Sequence, residues 1–116
     1  MSFLFENLDV YQRAVEFAGK IHRLCYRLPR GSYAMADQLR RASMSISLNI
    51  AEGSGRFHKN DKKQFYIISR GSVYECVPLL TLLTEADLLD TSRHDELKEE
   101  LVIISKMLAK LISRLS

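Results

Sequence analysis

The sequence predicts an all-α, up-and-down antiparallel four-helix bundle, and three observations carry the prediction. Apolar residues recur at spacings of three and four along most of the chain, the period of helices buried on one face. That pattern breaks at Pro29-Arg30-Gly31-Ser32, around Gly53 and Gly55, and at Asp90-Thr91-Ser92-Arg93, which leaves four helical segments. The connections are short, so successive helices should be antiparallel neighbours. Composition agrees with one domain over residues 1–116: 47% of the residues are hydrophobic and 27% charged, with only two prolines and five glycines. This is enough apolar material for a core and too little turn chemistry for a β-sandwich.

The first helix is expected over 9–28, with Asp9 as its cap. Two adjoining apolar lines run along it. One passes through Leu8, Tyr11, Val15, Ala18, His22 and Cys25, the other through Ala14, Phe17, Ile21, Leu24 and Leu28. The second helix, 33–52, centres on Met35, Leu39, Ala42, Ile46 and Asn49 and is rich in Ala and Ser, whose small side chains permit close helix approach. Gly53 and Gly55 are expected to stop it. The third, 61–89, starts after Asn60 as N-cap and follows the line Phe65, Ile68, Ser72, Glu75, Leu79, Leu82, Ala86 and Leu89. Pro78 predicts a kink there, because proline removes one helical hydrogen bond and crowds the preceding turn. The fourth, 93–115, carries the cleanest repeat, Leu97, Leu101, Ile104, Leu108, Leu111 and Leu115, with Thr91 or Ser92 as cap.

Two polar residues fall on these core lines. Asn49 and Glu75 occupy positions where a plain bundle would carry aliphatics, and a buried carboxylate needs a partner. The reading is a structural polar layer in which Asn49 donates to Glu75, with Ser45 and Ser72 completing it.

Enzyme chemistry finds no footing. His22, His58 and His94 are scattered, Cys25 and Cys76 are far apart in sequence, and no Glu-x-x-His pair of the kind that builds a di-iron bundle is present. Neither paired carboxylates nor a nucleophilic triad is indicated, so no catalytic residue, metal or cofactor is expected. Gly53-Ser54-Gly55-Arg56 lacks the spacing and the preceding strand of a phosphate loop. Two cysteines inside apolar helical patterns suit a reduced, cytoplasmic protein. The start lacks the basic-then-apolar order of a signal peptide, and no apolar run is long enough for a membrane span.

The net charge of +3 is unevenly spread. Residues 40–74 hold seven Lys/Arg against two acids, whereas residues 75–116 hold five against eight. The basic set is Arg40, Arg41, Arg56, Lys59, Lys62, Lys63 and Arg70, gathered around the second connection and the start of the third helix. Such a set suits the backbone of structured RNA or DNA, an acidic protein, or the acidic end of another subunit. Phe57 and Tyr66 add rings that can stack on exposed bases. A bundle without an element shaped for a groove implies electrostatic backbone contact rather than sequence reading.

The segment QLRRASMSISLNIAEGSGR, Gln38 to Arg56, resembles the four-helix-bundle family of proteins encoded by intervening sequences in bacterial 23S rRNA genes. LDVYQRAVEFAGKIHRL from Leu8, KKQFYIISRGSVYE from Lys62 and LLTEADLLD ending at Asp90 extend the resemblance over nearly the whole chain. The family in turn is similar to the accessory proteins of diversity-generating retroelements. The matching positions are Asn49, Glu52, Gly53 and Arg56, then Gly71, Ser72 and Glu75. Ser47 and Leu48 stand where the family usually has Pro-Ala, and Val77 and Pro78 where it has an acidic residue and threonine. The resemblance implies an up-and-down bundle that assembles as a homopentamer. In the retroelement branch it implies association with a reverse transcriptase and with nucleic acid. The expected function is a non-enzymatic, homo-oligomeric, nucleic-acid-associated accessory protein. A homo-oligomeric scaffold that binds only protein is the alternative.

Overall fold

The computed structural model describes residues 2–115. Four helices, α1 (Asp9–Tyr26), α2 (Tyr33–Ser54), α3 (Lys59–Glu85) and α4 (Thr91–Ser113), form the up-and-down bundle, with no strand among the described residues. Each helix packs on its neighbours in sequence, and α4 closes back on α1. Short 3₁₀ turns at Leu4–Asn7 and Arg30–Ser32 precede α1 and α2.

The helix ends differ in detail from the sequence expectation. Asp9 opens α1 but makes no cap; the N-cap position is Leu8, without a side-chain bond, and Asp9 instead lies 3.5 Å from Arg13 Nε. His58, not Asn60, precedes the first turn of α3. At α4 the cap is Asp90, whose Oδ1 accepts from the Arg93 amide at 2.7 Å. α3 ends at Glu85, short of Leu89, because Asp87 takes a left-handed φ of 60°. Leu88 N then bonds to Leu83 O and Asp87 N to Thr84 O. These two bonds satisfy the last carbonyls of α3 and reverse the chain. Helical structure continues through Pro78, so α3 is one helix.

The core is one apolar cluster built from all four helices. α1 contributes Phe17 and Ile21, α2 Leu39, Ile46 and Ile50, α3 Leu80 and Leu83, and α4 Leu97, Leu101, Ile104 and Leu108. On α1 the line through Ala14, Phe17 and Ile21 faces inward, while Val15 and His22 of the adjoining line are exposed. On α3 the predicted line is borne out in part: Ser72, Leu79 and Leu89 are buried, while Ile68, Glu75 and Leu82 of the same line are exposed. The buried face also takes in the adjoining Tyr66, Ser69, Val73, Cys76, Leu80 and Leu83. Because α3 touches both α2 and α4, its buried face is two stripes wide and takes in residues of the predicted line together with those one position round the helix.

Gly53 does not stop α2. It is buried inside the helix, and a Cβ at that position would come within 2.9 Å of Phe65 Cβ and 3.0 Å of Tyr66 Cε1. Glycine is required there because α3 crosses at that point with an aromatic side chain laid over the backbone. Gly55 is the residue after the helix, in ordinary right-handed conformation. Tyr66 is anchored at the same crossing by a 2.9 Å hydrogen bond between its hydroxyl and Ser54 Oγ.

Candidate nucleic-acid interface

The seven cations of the sequence-defined set fall into three places. Arg56, Lys59, Lys62 and Lys63 gather at the end of the bundle where α2 passes into α3. Arg56 lies 3.2 Å from Glu52 and 4.6 Å above the Phe65 ring. Lys62 donates to the Ser54 carbonyl at 3.0 Å, tying the two helix ends together. Lys59 is exposed and Lys63 half-buried. These residues flank the first turn of α3, whose N-cap supplies no side-chain bond to its amides. Unpaired amides and the positive end of the helix dipole attract anions. Phe57, 97% exposed, stands between them.

Arg40 and Arg41 are elsewhere, about 20 Å along α2 from that end. Both bind one carboxylate: Arg40 Nη2 donates to Asp37 Oδ1, and Arg41 Nε to Asp37 Oδ2 at 3.0 Å. The hydrogen bond from Arg40, followed by that from Arg41, holds the Asp37 carboxyl below the ordinary carboxylate range. The pair of arginines is therefore half neutralised in place. Sequence reasoning passed over Asp37, although its spacing of three and four before the arginines is the signal for such a pairing.

Arg70 is in phase with Lys63, about 10 Å further along α3. Its guanidinium lies 4.8 Å over the Tyr74 ring and donates to the Tyr74 hydroxyl at 3.0 Å. It faces the α3–α4 groove and does not join the cluster at the bundle end.

The polar layer forms without its carboxylate. Asn49 Nδ2 donates to Ser45 O at 2.8 Å and Ser45 Oγ at 2.9 Å, and Ser72 Oγ bonds to Ser45 Oγ at 2.8 Å. Together they join α2 to α3. Glu75 is exposed. A fully buried bond from Ser69 Oγ to Ile46 O at 2.7 Å adds a second link that the sequence reading did not include.

The two thiols are buried. Burial, reinforced by the neighbouring Glu75 charge, pushes the Cys76 thiol up to about 12. Burial also raises Cys25, partly opposed by Arg40. Thiols held protonated in this way are poor nucleophiles and metal ligands. Among the described residues no group of three or more His, Cys, Asp and Glu could hold a metal ion, and no helix is long and apolar enough to cross a membrane.

The architecture and its surface thus define a small all-α bundle with a basic end and a serine–asparagine seam. Residues 6–110 match the family model described as 23S rRNA-intervening sequence protein. The chain belongs to that family. Its fold is shared by a crystal structure of a protein of unknown function from the S23 ribosomal protein family of Bacteroides thetaiotaomicron. That likeness has a TM-score of 0.85 and 24% identity, over 89% of this chain and 97% of the other. No curated protein matches this chain.

Proposed function

We propose that the protein is a non-enzymatic, homo-oligomeric accessory that binds the RNA or DNA backbone electrostatically through the α2–α3 end of the bundle. The observation that carries this reading is the convergence of Arg56, Lys59, Lys62 and Lys63 on the first turn of α3. Family membership is consistent with it, and a cytoplasmic protein recruiting a reverse transcriptase or another nucleic-acid enzyme would use such an adaptor. Four cations contacting phosphate predict a slope of log affinity on log salt of roughly −3.6. Light scattering with structured RNA and duplex DNA across a salt series tests this. A complex that loses roughly 100-fold in affinity between 50 and 200 mM salt is expected. The triple variant Lys59→Glu, Lys62→Glu, Lys63→Glu should abolish it while circular dichroism stays unchanged. Salt-independent binding, or binding that survives the triple variant, overturns the proposal.

Arg40 and Arg41 give a second handle. Replacing Asp37 by Asn releases both guanidiniums and should tighten binding severalfold, steepening the salt slope by roughly one to two. Unchanged affinity and slope would assign both arginines to the fold alone.

The homo-oligomeric part rests on a different surface. Met44 and Leu48 on α2 and Ile68 and Leu82 on α3 are 44–62% exposed and flank the serine–asparagine seam. The open Gly71 and the exposed Glu75 of the family signature lie on the same face of α3. Surplus apolar area of this kind suits an interface between copies, a homopentamer in the reading adopted here. The same face favours the protein-only scaffold if the salt series shows an assembled ring that takes up neither polymer.

A further inference from the structure

A groove of about 320 Å³ runs between α3 and α4, away from both surfaces used above. Its apolar lining comes from Val73 and Val77 of α3 and Leu101 and Val102 of α4, and no acidic side chain lines it. Three cations do: Arg70, Lys98 and Lys106. Lys98 and Lys106 are exposed, and among the described residues neither forms an ion pair. An apolar floor beneath three cations is complementary to a molecule with one anionic group and an apolar body.

Arg70 supplies the second, independent observation. Its Nε is buried and has no hydrogen-bond partner, the one such side-chain atom among the described residues. Its other contacts are the Tyr74 ring and hydroxyl. A buried guanidinium donor left unpaired is costly, because the group loses water and gains nothing in return. Rotation off the Tyr74 ring turns Nε and one terminal nitrogen into a fork of the shape that grips a carboxylate. The volume lies at the low end of small-molecule sites, which suits a single medium-length chain rather than a two-chain lipid.

We propose that the α3–α4 groove binds an amphipathic carboxylate, its head on Arg70 with Lys98 or Lys106 and its alkyl chain along Val73, Val77, Leu101 and Val102. This site is separate from the basic bundle end, so it stands or falls independently of nucleic-acid binding.

Decanoate, kept below its micelle concentration, is the probe, read by methyl NMR on the full chain. The expected result is saturable binding with shifts confined to Val73, Val77, Leu101 and Val102. Arg70→Gln should weaken it by roughly 10-fold or more, as loss of a charged hydrogen-bonding group does. Decanol, which has the chain without the charge, should bind correspondingly worse. Val102→Trp should block the groove while leaving helicity intact. Absence of saturable binding, equal binding of decanol, indifference to Arg70→Gln, or shifts centred on the α2–α3 seam would each overturn the proposal. So would a groove that takes an acidic amphipathic peptide and ignores decanoate.

Discussion

Replacing Gly53 by valine is expected to cost about 3 kcal/mol of stability, the upper part of the range for overpacking a well-filled site. The first added atom would meet Phe65 Cβ at 2.9 Å and the Tyr66 ring at 3.0 and 3.1 Å. Neither neighbour can give way cheaply. A Cβ is fixed to its own helix, and the Tyr66 ring is buried with its hydroxyl bonded to Ser54. Relief therefore requires α2 and α3 to separate, which loosens the Ser69–Ile46 bond and the Ser45–Asn49–Ser72 seam beyond it. Urea and thermal unfolding followed by circular dichroism should show the loss, with a melting temperature lower by on the order of 10 °C. Gly71→Ala is the matched control. Gly71 is in a helix interior with nothing within 4 Å of the added methyl, so alanine should stabilise by about 0.5–1 kcal/mol through helix propensity. A Gly53→Val variant as stable as the wild type would mean that the α2–α3 crossing is not close-packed.

The second large effect is alkaline. The Cys76 thiol is raised from 9.0 to about 12, first by burial and then by the Glu75 charge. Below pH 9 the thiol is protonated in both folded and unfolded chains and makes no difference. Above it the unfolded chain gives up the proton while the folded chain keeps it, so stability falls as pH rises. The slope is about 1.4 kcal/mol per pH unit from this group, reaching about 4 kcal/mol near pH 12. The contribution of Cys76 is isolated by comparison with Cys76→Val. The valine variant should show a correspondingly shallower decline between pH 9 and 11 in urea titrations. Parallel curves would mean that the thiol ionises in the folded protein. Reaction with a thiol reagent at pH 8 should likewise be slow until the chain unfolds, because the reactive species is the thiolate.

The places where reading the sequence succeeded and failed share one cause. α4 was legible because its repeat of Leu97, Leu101, Ile104 and Leu108 keeps one phase, with Glu and Lys on the opposite side; all four of those positions are buried. α1 and α3 carry two adjoining stripes each. On α3 the exposed Ile68 and Leu82 are as apolar as the buried Leu80 and Leu83. Periodicity reports that a face is apolar, not what covers it. Glu75 is exposed although Ser72 and Leu79 of the same line are buried, which left Asn49 and the two serines to satisfy one another.

The candidate site divides in the same way. The gathering of Arg56, Lys59, Lys62 and Lys63 was legible because these residues are near one another along the chain. The neutralisation of Arg40 and Arg41 by Asp37 is also local, and its spacing was present to be read. The unpaired Arg70 Nε and the lysines of α4 across the groove were not legible. They are brought together by two helices whose relative rotation no single-helix pattern encodes.

Amino-acid order by itself determined the helical class, the number of helices and the approximate turns, because those follow from local propensity, apolar period and chain breakers. Only the tertiary structure decided which of two adjoining stripes faces the core, why Gly53 is glycine, and which charges meet. Those depend on how each helix is rotated against two neighbours at once, and packing of the whole core sets that rotation.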